Sequence, residues 1–195
     1  MYRIGMFVFA CALLVVAGIC TVRGARTAIA QAIYVESKYG LTKDDEEKVF
    51  ANCERAYALY PYNYRFCTWT AEMAWYGRFD EDGSEIAARR ALADYWCQRG
   101  LGLNPFRSQL RTLEVRLLMQ EALREAVRKW EAYVEWHFWE PFNHAFLAEL
   151  YALDGRYEDA IASLAWAKGS RYAREARQRV LDAWNAEIRA AATIR

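Results

Sequence analysis

The chain has 195 residues, 55% of them hydrophobic and 26% charged, and its three prolines and ten glycines are too few for a disordered or turn-dominated polypeptide. Its formal net charge is +1, but Arg3, Arg23 and Arg26 stand unopposed in the first 26 positions, which leaves 23 basic against 25 acidic residues beyond them. That near-neutral remainder argues against an electrostatic nucleic-acid binder, which carries a clearly basic face.

The first element is residues 4–22, IGMFVFACALLVVAGICTV, 19 residues without a charge. At about 1.5 Å per helical residue they reach roughly the 30 Å of a bilayer core, so a membrane-spanning helix is the leading reading. A cleaved secretory signal competes, because Ala28-Ile29-Ala30 puts small residues before Gln31. Arg23 and Arg26 lie between the apolar run and that site, where such a substrate is normally uncharged. The resulting division is an anchor over residues 1–26 and a helical domain over 27–195. Arg3 and the free amine on one side nearly balance Arg23, Arg26 and Lys38 on the other, so sidedness is open. An extracytoplasmic domain is expected because both the anchor and the signal reading deliver it there; a reversed anchor would keep it in the cytoplasm.

Residues 28–39 continue as a helix that Gly40 ends, and Thr42 followed by Lys43, Asp44, Asp45 and Glu46 reads as the next helix start. That helix runs through Val49, Phe50, Cys53, Ala56 and Tyr57 to Tyr60, then stops at Pro61-Tyr62-Asn63. Further helices are predicted over 64–76, 84–100, 108–119 and 122–139, with a polar loop at 79–84 and the same punctuation at Asn104-Pro105 and Glu140-Pro141. Cys53 and Cys67 flank Pro61 nearly opposite each other. They either form a disulfide in an oxidising compartment or pack as two small buried hydrophobes.

Beyond Pro141, Leu147, Ala148 and Tyr151 share one helical face, Gly155 breaks the pattern, and Ala160, Leu164 and Ala167 form a second stripe. Two such helices pack as an antiparallel hairpin. The last run, 171–189, repeats Tyr172, Ala176, Val180, Trp184 and Ile188 at four-residue spacing and suits a capping helix. Its other face carries Arg171, Arg174, Arg177 and Arg179, either solvated or facing anionic lipid or an acidic partner.

The order Leu147-Ala148, Tyr151, Gly155, Tyr157, Ala160, Leu164 and Ala167 resembles a tetratricopeptide repeat (TPR), as does the helix end from Ala56 to Asn63. Spacings of 44 residues from Pro61 to Pro105 and 36 from Pro105 to Pro141 exceed that family's period of about 34. The resemblance implies an all-α, TPR-like solenoid of about three helical hairpins, with an amino-terminal transmembrane helix and a carboxy-terminal capping helix. It also implies a groove for a protein or peptide partner, lined by the first helix of each hairpin. Helix phase puts Arg65, Glu72, Trp75, Arg111, Phe142 and Glu149 in that groove. The expected role is a non-catalytic scaffold at a membrane, in an envelope assembly or secretion context, with no nucleic-acid partner.

The run WEAYVEWHFWEPFNH, residues 130–144, holds both histidines and three of the eight tryptophans. Glu135, His137, Glu140 and His144 do not form a metal set, because the histidines are seven apart with Pro141 between them and no third convergent ligand is visible. Interior packing is the expected role of the rings. An exposed platform for glycan or lipid-linked intermediates, using residues 130–139, is the alternative function. No nucleophile elbow, phosphate-binding glycine loop, dinucleotide fingerprint or Cys-x-x-Cys occurs, so neither an enzyme nor a cofactor is expected; an enzyme subunit or metal-dependent hydrolase centred on His137 and His144 is the least favoured reading.

Overall fold

The computed structural model describes residues 2–40, 45–76 and 83–193. Every regular element among them is an α-helix: α1 (Tyr2–Tyr39), α2 (Glu46–Leu59), α3 (Tyr64–Tyr76), α4 (Gly83–Leu103), α5 (Ser108–Met119), α6 (Leu123–Trp136), α7 (Pro141–Leu153), α8 (Tyr157–Trp166) and α9 (Arg171–Thr193). The chain divides into two compact units, Met1–Pro105 and Phe106–Arg195. Residues 41–44 and 77–82, which include Thr42 and most of the predicted polar loop, lie outside the described residues.

In the first unit α1 is a single helix of 38 residues. Gly5 through Arg26 are exposed on every side, and this half is long and apolar enough to cross a membrane. No break occurs at position 26. The same helix continues into the packed unit, where Ala30 is fully buried beside Ala56 and Phe66, with Ile33 and Tyr34 against the same cluster. Tyr34 meets Phe66 at 5.0 Å and the edge of Trp69 at 5.6 Å. Arg26 donates to the carbonyl of Ala58 in the last turn of α2, where unpaired carbonyls and the helix dipole favour a cation.

The start of α2 is capped by Asp45, whose carboxylate accepts the Lys48 N–H at 3.1 Å. Asn63 plays the same part for α3, accepting the Arg65 N–H at 3.0 Å. Between α2, α3 and α4 the core contains Val49, Phe66, Ala71, Ala93 and Trp96. Arg99 lies over the rings of Tyr57 and Tyr95, 4.7 and 4.2 Å from their centroids, and so covers this aromatic edge with a cation. Cys53 and Cys67 are separate free thiols, both buried, so the packing alternative and not the bridge describes them. Burial pushes the Cys53 thiol up to about 11 and that of Cys67 up to about 12, leaving both protonated and unreactive at neutral pH.

The second unit is built on Trp130, Val115, Val127, Phe146 and Leu150, which bring α5, α6 and α7 together. Small residues close the remaining seams: Ala148, Ala152 and Ala160 meet Val180, and Ala145 and Ala167 meet Ala176. Gly155 makes the α7–α8 turn at φ +76°, a conformation only glycine adopts without strain. The Arg156 N–H reaches back to the Tyr151 carbonyl at 2.8 Å and the Gly155 N–H to that of Ala152 at 3.2 Å, the paired bonds of a Schellman motif. Ser170 caps α9, its hydroxyl accepting the Ala173 N–H. Ala176 and Val180 of the predicted α9 stripe are buried, while Ile188 is exposed.

Several predicted boundaries move: α4 runs on to Leu103 and α9 to Thr193, past the predicted 100 and 189. The sequence carried α6 on to Trp139; the helix ends at Trp136 and residues 137–140 form a turn. Pro141 disfavours helical backbone at the residue before it, and Asn143 fixes the turn by donating from Nδ2 to the His137 carbonyl at 2.9 Å.

Candidate functional site

Helix phase along α6, and the turn after it, divide the aromatic run. Up to Tyr133 the rings still follow the helix phase inward. Trp130 is fully buried, donates from Nε1 to the Asn143 carbonyl at 2.9 Å, and packs at 4.9 Å from both Tyr133 and Phe146. Trp136, on the outward side of the last turn of α6, and Phe138 and Trp139 in the turn that follows are 70%, 57% and 64% exposed. Interior packing, the expected role of the whole run, therefore holds for Trp130 and Tyr133 and fails for these three.

Four other segments arrive at the same end of the unit. Phe106, just ahead of α5, is 59% exposed and lies 6.2 Å from the His137 ring; Tyr133 donates to its carbonyl. His137 stacks on Tyr133 at 4.5 Å and touches Trp139 at 5.4 Å. From α7, His144 hydrogen-bonds through Nε2 with the Phe138 carbonyl while its ring stacks on Trp166 at the end of α8. Phe142 meets Tyr172 of α9 edge-on at 5.2 Å. The start of α5, the ends of α6 and α8, and the starts of α7 and α9 thus surround one aromatic end.

Both histidines are occupied by this framework, one as a stacking spacer and one as a tie to the turn. Among the described residues no group of three His, Cys, Asp or Glu side chains converges as a metal would require. Glu135 and Glu140 are exposed.

The six residues assigned to a groove by helix phase fall into two sets. In the first unit Arg65 is exposed on the first turn of α3, with Glu72 and Trp75 half-buried on the same helix. In the second unit the three are engaged internally. Arg111 donates to Glu114 at 2.8 Å, and Glu114, only 5% exposed, also takes Lys129 at 2.7 Å. Phe142 stacks near Phe146 within the core column. Glu149 accepts Arg179 of α9 at 2.7 Å on both carboxylate oxygens. The side of α7 that bears Phe142 and Glu149 is the side on which α9 lies. Phase alone finds that side but cannot tell whether solvent or a later helix occupies it.

Comparison with family models, curated proteins and solved structures found no match to the chain.

Proposed function

We propose that the chain is a membrane-tethered, TPR-like helical scaffold that holds a protein or peptide partner at a bilayer surface, in an envelope assembly or secretion context. The observation that carries this reading is the unbroken α1, in which a fully exposed apolar half passes without a loop into a half packed at Ala30, Ile33 and Tyr34. A flexible tether would only localise the first unit. A continuous helix also sets its orientation to the membrane, which is what a scaffold presenting a surface requires. Helical hairpins closed by Gly155 and by the Pro61 and Pro141 turns supply the solenoid-like part of the proposal. Its soluble part is placed on the extracytoplasmic side.

Arg65, Glu72 and Trp75 recur on one side of α3 and are the residues proposed to meet the partner. Arg111 is unsuitable for the test, because reversing its charge would strike the buried Glu114. We therefore expect a photo-crosslinking side chain at position 75, activated in native membranes, to give a discrete adduct that falls about tenfold in yield when Arg65→Glu is added, with unchanged helicity. Equal yield in the two backgrounds would refute partner capture through α3.

A further inference from the structure

We infer that the aromatic end of the second unit is a second membrane contact, seating Trp136, Phe138, Trp139 and Trp166 in the headgroup layer of the bilayer that α1 crosses. The inference rests on the tethering proposed above and assigns a job to a surface that proposal leaves unused.

The amount of exposed ring calls for an occupant. Five aromatic side chains, Phe106 included, are between 57% and 70% exposed at this one end. At about 150–250 Å² per ring system they present on the order of 500 Å² of aromatic surface, at the upper limit of what a soluble monomer leaves bare. They come from separate segments that the His137 and His144 contacts hold together, so the cluster is built by the fold and is not a stray hydrophobic side chain.

Residue type and charge then select the occupant. Three of the five are tryptophans, whose apolar body and N–H tip suit the boundary between acyl chains and headgroups. The segments that bear these rings also carry Arg107, Lys168, Arg171 and Arg174 against Glu135, Glu140 and Glu175, cations that suit anionic lipid. At the opposite end of the same unit the charges pair with each other, Arg124 with Asp154 and Arg156 with Asp159, and Trp184 is stacked on Tyr157, so these charges and this ring have partners within the unit. Interfacial tryptophans suit a bilayer better than a protein surface, and α1 is a helix long and apolar enough to cross one.

The test uses the full chain reconstituted into phosphatidylcholine and phosphatidylglycerol vesicles whose acyl chains are brominated. Every tryptophan lies at or beyond position 69, so lipid bromine that quenches indole emission reports on the folded units and not on α1. Wild-type emission should be quenched, and the triple variant Trp136→Ser, Trp139→Ser, Trp166→Ser should lose most of that quenching while resisting alkaline extraction as the wild type does. Equal quenching in wild type and variant, with both retained in the membrane, overturns the aromatic contact and leaves the tether standing. Release of both proteins at alkaline pH overturns the tether and with it this inference. Two further results also overturn it: rings shielded from bromine but increasingly from acrylamide as protein density rises, which assigns the end to a second copy, and emission altered by soluble oligosaccharide without bromine quenching, which assigns it to glycan.

Discussion

Trp130→Ala should remove roughly 3–5 kcal/mol from the stability of the second unit, the largest effect expected of any single truncation there. The indole is fully buried, touches Tyr133, Phe142 and Phe146, and anchors the Asn143 carbonyl at the start of α7. Its loss opens a cavity at the junction of α6 and α7 and removes the bond that ties the two helices at the Asn143 carbonyl. Trp136→Ala, six residues along the chain at a 70% exposed site, should stay within about 0.5 kcal/mol. Chemical denaturation of the detergent-solubilised chain, followed by near-ultraviolet circular dichroism, separates the two. Similar losses in both variants would mean that Trp136 does not face solvent.

Lys129→Glu should cost roughly 2–4 kcal/mol through Glu114. That carboxylate is held between Lys129 on α6 and Arg111 on its own helix, at 2.7 and 2.8 Å, with only 5% of it exposed. Placing an acid at position 129 removes one cation and opposes a buried charge with a like one. Breaking a buried pair from one side is far more damaging than replacing both partners. The figure sits below the upper range for buried pairs because the two cations are themselves partly in solvent. Glu114→Gln combined with Lys129→Gln should recover most of the loss, since the amides can hydrogen-bond to each other and to Arg111 and no buried carboxylate is opposed by a second one. Denaturation midpoints of the single and double variants decide this; a double variant as unstable as Lys129→Glu would mean that packing and not charge sets the penalty.

The contrast between these sites explains what the amino-acid order discloses and what it withholds. Local signals carried through: Pro61 and Pro105 lie between two helices, Pro141 opens α7, and Gly155 takes the left-handed turn its position demanded. Each depends on one residue's backbone preference. Identification of the apolar stripes of α7 and α8 also needed only helical period. The tertiary partners did not carry through. Glu114 draws Lys129 from 15 residues away, and Arg179 reaches Glu149 from 30 away. No window of local sequence contains either pair, so Glu149 looked available when Arg179 already holds it; Arg111 meets Glu114 only three residues on, but nothing local shows that Glu114 is buried beside Lys129.

The aromatic end shows the same division at closer range. Composition flags residues 130–139 as unusual, and the period correctly sends Trp130 and Tyr133 inward. The same period turns Trp136, still within α6, away from the Trp130 face, and would turn Trp139 away as well. What the period does not give is the path after Trp136, which Pro141 and the bond from Asn143 back to the His137 carbonyl set. Counting phase from Trp130 would have marked both tryptophans as outward-facing.

The central claim is that one rigid helix carries the chain from a lipid-spanning segment into a packed helical unit. Nitroxide scanning along α1 in reconstituted vesicles, read as accessibility to oxygen and to a polar nickel complex, tests it most directly. High oxygen and low nickel accessibility are expected on all faces from position 8 to position 19. Positions 30, 33 and 37 should then become inaccessible to both reagents, with a continuous helical period of about 3.6 residues through Arg26. Nickel accessibility at positions 8 to 19, or a break in that period between Arg23 and Ala30, would contradict it.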